Sequence, residues 1–357
     1  MEKIRIKQIS KLSWIINNAC NLNCIHCYPN SGIENKKDFS DDDFIKMLKN
    51  FKGMHFHRTF LSGGEPLLDK NFYKYLQVAK QISDEVFICS NGTLLTESKL
   101  NELVSNGVDG IVLSCQAIDA DTAFRIYGNS QVPNLVFDAI KRIQKLNIAL
   151  SVEISLMQQN VKYLDNIIEL LISYGVKSIS FKRLLPVGRG DSIKVGLSKK
   201  ENYEVLKKIY NWQVTHNNVR FNVHDPLYGT ILFDHFGELC NDGAMLRWLH
   251  GFSCRAGTRW IGIDPLGNVS PCPILLYKDT IIGNMMNTPL IEILNNSALM
   301  KLFQKIDSKK SNSCKYGSVC LGCRATAIAK NGDLFSKDPM CVHKNNMCPS
   351  SMKREDE

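Results

Sequence analysis

The sequence predicts an α/β fold, a partial (β/α)6 barrel followed by a cysteine-rich domain. Three observations predict it. Short β-rich runs alternate with longer amphipathic stretches from residue 12 to about 215, there are six such units, and most cysteines crowd the two ends of the chain. Alternating β and α units imply a parallel sheet with right-handed crossovers. Six units fall short of the eight that close a full TIM barrel, so a TIM-like but open barrel is expected.

The expected strands are Ser13–Asn17, Thr59–Ser62, Glu85–Ser90, Gly110–Cys115, Ala149–Ser155 and Ser178–Arg183. Between them, apolar residues recur at helical spacing. Phe44, Met47, Leu48 and Phe51 make one stripe, and Leu164, Ile167, Ile168, Leu171 and Ile172 another. Ser40 before Asp41-Asp42-Asp43 and Thr96 before Glu97 are suitable helix caps. Past the sixth strand the pattern breaks into a loop rich in glycine and charge, Pro186 to Asp191, followed by a helix from Lys199 to Trp212 and an irregular bridge to about His250. The expected divisions are thus a barrel over 1–215, a bridging region over 216–250, a cysteine-rich domain over 251–345 and a polar tail over 346–357.

Composition narrows the classes of function. The net charge of +9 (44 Lys and Arg against 35 Asp and Glu) is scattered along the chain, which suits solubility better than a nucleic-acid surface. No stretch reaches the ~20 apolar residues of a membrane span, and the N-terminus lacks a signal-peptide core. A cytoplasmic protein without membrane or nucleic-acid partners is expected. The thirteen cysteines are odd in number and cannot all pair, so metal or catalytic use is expected over a disulfide framework. Cys89 and Cys115, on strands, are expected to be packing thiols.

Parallel sheets of this kind bind ligands at the carboxyl ends of their strands, and unusual residues gather there. Cys20, Cys24 and Cys27 follow the first strand, Gly63-Gly64-Glu65-Pro66 the second, and Ser90-Asn91-Gly92 the third. Ser114 ends the fourth, Glu153 and Ser155 the fifth, and Arg183 the sixth. The CxxxCxxC spacing puts three thiolates in one loop. Three cysteines can hold three irons of a [4Fe–4S] cube and leave the fourth iron open to chelate an amine and a carboxylate. A zinc site with His26 as a fourth ligand is the alternative, but His26 adjoins Cys27 and is poorly placed for the same ion.

With CxxxCxxC after the first strand and Gly63-Gly64-Glu65-Pro66 one unit later, the chain is identified as resembling the radical S-adenosylmethionine (SAM) superfamily. The resemblance implies that Cys20, Cys24 and Cys27 carry a [4Fe–4S] cluster and that Gly63, Gly64, Glu65 and Pro66 hold SAM. Ser90 and Asn91, Ser114 and Arg125 match further SAM-binding positions of relatives. The C-terminal part resembles the SPASM extension of such enzymes, which carries auxiliary iron–sulfur clusters. Twelve residues separate Cys254 from Gly267, four more precede Cys272, and Cys314-x5-Cys320-x2-Cys323 and Cys341 follow. The family's alternating ligation groups Cys254, Cys272 and Cys323 on one cluster and Cys314, Cys320 and Cys341 on another. Ser311 stands where the pattern has a further cysteine, so each set has three thiols. Cys348 or a non-cysteine ligand completes a set, an iron stays open, or only one auxiliary cluster forms. A zinc ribbon, with His343 beside Cys341, is the alternative.

The resemblance also implies an activity: reductive cleavage of SAM to a 5′-deoxyadenosyl radical that takes hydrogen from a substrate, under anaerobic conditions. Flavodoxin or ferredoxin is the expected reductant. The leading substrate is a ribosomally made peptide or protein, crosslinked or oxidised. No N-terminal peptide-recognition domain is read in the chain, so a leader peptide is expected to need a separate binding protein. The stretch Cys320 to Cys341 also resembles enzymes of haem and haem d1 synthesis, making a tetrapyrrole the other substrate. Sulfatase maturases fit less well, since Pro273 stands where they carry an acid. The reading from another class is a non-catalytic iron–sulfur protein for electron transfer or sensing.

Overall fold

The computed structural model describes residues 8–32, 39–191, 195–236, 243–276, 278–308 and 314–343. The expectations that rest on Ser311, Cys348 and the polar tail lie outside them. Strands β1 (Lys11–Ile15), β2 (Phe56–Ser62), β3 (Ser83–Ser90), β4 (Gly110–Ser114), β5 (Ala149–Leu156), β6 (Ser178–Arg183) and β7 (Arg220–His224) pair in parallel, each with the next. On the other side β8 (Trp260–Ile263) pairs in parallel with β1, while β9 (Asn268–Ser270) and β10 (Gly283–Asn284) add antiparallel. The sheet order is β10-β9-β8-β1-β2-β3-β4-β5-β6-β7.

The crossover helices are α1 (Asp41–Asn50), α2 (Phe72–Ile82), α3 (Glu97–Ser105), α4 (Ala120–Tyr127), α5 (Val132–Ile143), α6 (Leu164–Ser173) and α7 (Lys199–Thr215). Then come α8 (Tyr228–His235), α9 (Gly243–His250), α10 (Leu290–Asn296), α11 (Ala298–Ser308) and α12 (Arg324–Asn331). Ser40 caps α1 with a reciprocal capping box to Asp43, and Thr96 caps α3, both as the sequence implies.

The sheet is longer than the expected six strands. β7 falls in the region read as an irregular bridge: its five residues carry only Phe221 and Val223 as an apolar alternation, too short a signal to stand out. β8 joins the cysteine-rich part to the barrel by pairing with a strand about 250 residues earlier, and no local pattern reports such a partner. Gly262 makes the junction close. A Cβ there would lie 2.5 Å from Pro273 Cα, so glycine lets the Cys272–Pro273 turn press on the barrel wall.

Strand residues alternate between two environments. Leu12, Trp14, Leu61, Val86, Ile88, Ile111, Leu113, Val152, Ile154, Ile179 and Phe181 join the helices in the main core. Their neighbours face a lumen of different chemistry. Ser151 bonds Ser178 and Ser180 at 3.1 Å each, Asn222 Nδ2 donates to Ser178 Oγ at 3.1 Å, and Lys182 pairs with Glu153 at 2.6 Å. Opposite them, Phe60 stacks on Trp260 with ring centroids 5.6 Å apart. Cys115 is fully buried in the core as expected, whereas Cys89 sits on the lumen side of β3.

Candidate active site

The loops after β1, β2 and β3 form one bonded unit. Gly64 N–H donates to Asn17 Oδ1 at 3.1 Å, Glu65 N–H to Ala19 O at 2.8 Å, and Asn17 Nδ2 back to Glu65 O at 3.0 Å. A Cβ on Gly63 would lie 2.3 Å from Asn17 Oδ1, and one on Gly64 2.2 Å from Ala19 O. Both glycines are therefore demanded by the approach of the second loop to the cysteine loop. Pro66 opens a short 3-10 turn, Pro66–Leu68, and Glu65 caps it.

Glu65 is fully buried. Its carboxylate accepts from Ser90 Oγ at 3.0 and 3.1 Å, from Asn91 N–H at 2.8 Å and from Leu67 N–H at 3.4 Å. It thereby ties the second loop to the third. Asn91 Nδ2 in turn donates to Asn21 Oδ1 at 2.9 Å and lies 3.9 Å from Cys20 Sγ. Burial pushes the Glu65 carboxyl up to about 7, and the bonds from Asn91, Ser90 and Leu67 pull against that rise.

This shift carries a pH dependence. A carboxyl whose folded pKa exceeds its unfolded value of 4.5 favours the folded chain while protonated, and that contribution is lost as pH rises through about 7. We expect metal-free wild type to lose ~3 kcal/mol of stability relative to Glu65→Gln between pH 4.5 and 8. Urea unfolding of both proteins across that range measures it; a constant difference would contradict the shift.

Cys20, Cys24 and Cys27 lie within electrostatic reach of one another: burial pushes Cys24 up to about 12, and the Cys20 and Cys27 sulfurs add to the rise. Leu22 N–H donates to Cys20 Sγ at 3.4 Å and Ser31 N–H to Cys27 Sγ at 3.3 Å. The loop is clamped from the far side of the barrel by Arg189. Its Nε donates to Cys24 O at 2.8 Å, its Nη1 to Ser31 O at 2.7 Å and Asn30 Oδ1 at 3.0 Å. Gly188, at φ 57°, lets this turn approach: a Cβ would lie 2.4 Å from Tyr28 O. Neither Asn17 nor Arg189 was marked by sequence reasoning. Arg189 lay in the glycine-rich loop already noted, but nothing there indicated its target.

Ser114 and Arg125 are placed less directly. Ser114 ends β4 opposite Glu153, and Arg125 is exposed on α4, donating to Thr122 Oγ1 at 3.1 Å within its own helix. The same helix still serves the cysteine loop, because Asn23 N–H and Ile25 N–H donate to Tyr127 O and Ile126 O.

The late cysteines separate into two sets. Cys254, Cys272 and Cys323 pack on a small core of their own with Leu275, Phe303 and Leu321. Cys314, Cys320 and Cys341 pack on the main core. This division coincides with the alternating grouping implied by the resemblance. Burial pushes Cys254 and Cys272 up, and Cys323 raises both further. The first set is joined to the barrel by a buried ionic group. Arg183, from the end of β6, donates Nε to Asp225 at 2.8 Å and Nη1 to Asp338 at 2.6 Å, and Asp338 accepts the Cys323 N–H at 2.8 Å.

Between the two regions stands Tyr28, whose hydroxyl is held protonated by burial and, behind that, by Cys89, Cys272, Cys27 and Glu153. Tyr28 thus lies within electrostatic reach of both the first thiol set and Cys272. Burial lowers the Lys182 ammonium, but Glu153, Cys89 and Cys272 together outweigh it and the pKa is raised.

The residues present fit iron–sulfur groups. Buried polar atoms without a partner occur beside both thiol regions: His26 Nδ1 and Ser31 Oγ at the first, Arg324 Nε and Nη2 and Thr326 Oγ1 at the second. Among the described residues no three His, Cys, Asp or Glu side chains close on a point for one metal ion. His343, the other zinc candidate, instead bonds Thr230 Oγ1 at 3.2 Å.

Comparison with known proteins agrees with this geometry. Residues 14–171 match the radical SAM superfamily, and residues 254–324 match SPASM, an iron-sulfur cluster-binding domain. AdoMet-dependent heme synthase of Methanosarcina barkeri is 24% identical over 342 residues, covering 93% of this chain and 96% of that protein. Mycofactocin maturase MftC of Mycobacterium tuberculosis is 26% identical over 340 residues, covering 93% and 82%. SuiB of Streptococcus suis, bound to S-adenosylmethionine, shares the fold at a TM-score of 0.74 and 17% identity, covering 94% of this chain and 78% of that one. SuiB bound to precursor peptide SuiA gives 0.71 at 17% identity, covering 91% and 74%. The chain is a member of the radical SAM superfamily that carries a C-terminal SPASM domain.

Proposed function

We propose that this enzyme begins radical chemistry on a ribosomally made peptide seated in the barrel lumen, and that it acts in the cytoplasm. The observation that carries the reading is the bonding together of the Cys20–Cys27 loop, the Gly63–Pro66 loop and Ser90–Asn91 at the carboxyl ends of β1, β2 and β3. When bound, a [4Fe–4S] cluster on Cys20, Cys24 and Cys27 and SAM supply reductive cleavage and a 5′-deoxyadenosyl radical that takes hydrogen from the substrate.

The chain's own residues do the rest. Gly63 and Gly64 bring backbone polar groups up to the cysteine loop, where the SAM amine would be held. Glu65 locks that loop to Ser90 and Asn91 and adds negative charge behind it. Phe60 and Trp260 give one wall of the lumen an apolar face, while Glu153 and Lys182 offer opposite charges on the other. Tyr28 closes the space between the two thiol regions. The auxiliary thiols would hold one or two further clusters, suited to a net oxidation in which the substrate radical gives up an electron. A small reductant, flavodoxin or ferredoxin, delivers the first electron, and a separate protein presents the leader peptide.

Peptide maturases among the relatives support this substrate class. The second reading, a tetrapyrrole, is favoured by the AdoMet-dependent heme synthases, whose length matches this chain almost throughout. One experiment separates them. The anaerobically reconstituted, reduced enzyme is incubated with SAM and either candidate precursor peptides or iron-bound and metal-free porphyrin precursors. Stimulated 5′-deoxyadenosine with a matching mass change in a peptide is expected; the same response to a porphyrin alone would replace the first reading by the second.

A further inference from the structure

Arg324 follows Cys323 directly, begins α12 and is fully buried. One arm of its guanidinium is well held: Nη1 donates to Leu334 O at 2.9 Å and to Ser336 O at 2.8 Å. The other polar atoms, Nε and Nη2, are buried without a partner. Nη2 lies over the cysteine loop, since a Cβ on Gly322 would stand 2.6 Å from it. Gly322 takes φ 63°, and its lack of a side chain leaves that space to the guanidinium.

A buried guanidinium with unused N–H groups needs acceptors, because burying an unpaired charge is among the costlier arrangements a fold can adopt. The near carboxylate does not serve them. Asp338 is taken by Arg183 Nη1 at 2.6 Å, the Cys323 N–H at 2.8 Å and the Met340 N–H at 3.0 Å. What remains is sulfur. The backbone N–H of Arg324 points to Cys254, and its guanidinium stands within electrostatic reach of that sulfur. Arginine presents its donors as a rigid fork, so fixing Nη1 on two carbonyls also fixes the direction of the free pair.

We propose that Arg324 Nε–H and Nη2–H donate hydrogen bonds to sulfur atoms of an auxiliary iron–sulfur cluster held by Cys254, Cys272 and Cys323, raising its reduction potential. The inference rests on the reading that these three thiols hold iron. Positive charge and N–H donors at cluster sulfurs favour the reduced form, which carries one more negative charge. An auxiliary cluster tuned upward is the better acceptor for an electron leaving a substrate radical in the adjoining lumen.

The test uses the full chain with Cys20, Cys24 and Cys27 all changed to alanine, reconstituted anaerobically with iron and sulfide, so that only auxiliary iron contributes. The relevant signal is the one that disappears when Cys272→Ala is added. In an EPR-monitored redox titration, Arg324→Gln is expected to lower the reduced-to-oxidised ratio at fixed potential about tenfold, ~59 mV for one electron. Arg324→Lys should recover part of that. An unchanged potential in Arg324→Gln at unchanged iron content overturns the proposal while leaving the cluster in place. Absence of iron in the alanine background with native Arg324 overturns the proposal and the underlying reading together. Should Arg324→Gln fail to load iron, the native-Arg324 protein labelled with 15N in its arginine side chains decides. A 15N coupling to the reduced cluster supports the assignment, and its absence overturns it.

Discussion

Cys24→Ala is expected to abolish 5′-deoxyadenosine formation, down to the level without enzyme, and to leave the iron of the C-terminal thiols in place. Cys24 is bonded through its carbonyl to Arg189 and flanked electrostatically by Cys20 and Cys27. Without a cation, burial disfavours a thiolate here and the Cys20 and Cys27 sulfurs add repulsion, which together push Cys24 up to about 12. Iron reverses that balance, because the ligand is the thiolate and metal binding displaces the proton. Removing one thiol leaves too few to hold the cube, so roughly four irons per chain are expected to go. Iron analysis and chromatographic detection of deoxyadenosine on the same preparation check both halves. Full activity in Cys24→Ala would mean that the chemistry lies elsewhere.

The second large effect is expected at Gly64. An added Cβ would meet Ala19 O at 2.2 Å, the Ala19 carbonyl carbon at 2.6 Å and Cys20 Cβ at 2.9 Å. Two of those atoms are backbone and cannot rotate away, so the second loop must withdraw from the first. The bonds Gly64 N–H to Asn17 and Glu65 N–H to Ala19 O go with it. Overpacking of this kind typically costs ~1–3 kcal/mol, and spent on SAM binding that is about a five- to hundredfold loss of affinity. Gly32→Ala is the control, since a Cβ there would meet nothing within 4 Å. Equal SAM dissociation constants for Gly64→Ala and Gly32→Ala, at equal iron loading, would remove SAM from this loop.

Much of this was legible in the sequence, for reasons that can be named. β6 runs over Ser178–Arg183 as expected, and the caps at Ser40 and Thr96 are formed, because alternation and capping are local signals. β1 shifted from the expected Ser13–Asn17 to Lys11–Ile15, since its ends are set by pairing with β2 and β8. Asn17, freed from the strand, instead braces Gly64 and Glu65. Cys20, Cys24, Cys27 and Gly63 to Glu65 stood out because their spacing lies within single loops. The residues that tie loops together were not. Arg189 reaches back about 160 residues to Cys24 and Ser31, and Arg183 reaches forward 155 to Asp338. Such contacts exist only once the sheet has been assembled, and they leave no periodicity behind. Arg324 was hidden for another reason: a single arginine after a cysteine reads as surface charge until its burial is known.

The wild-type arm of the Cys24 experiment tests the central claim most directly. The reconstituted chain, reduced under anaerobic conditions and given SAM, is predicted to form 5′-deoxyadenosine in proportion to its iron, with further stimulation by its substrate. No deoxyadenosine at full iron loading, with peptides and porphyrins alike, would contradict the account and return the chain to the class of non-catalytic iron–sulfur proteins.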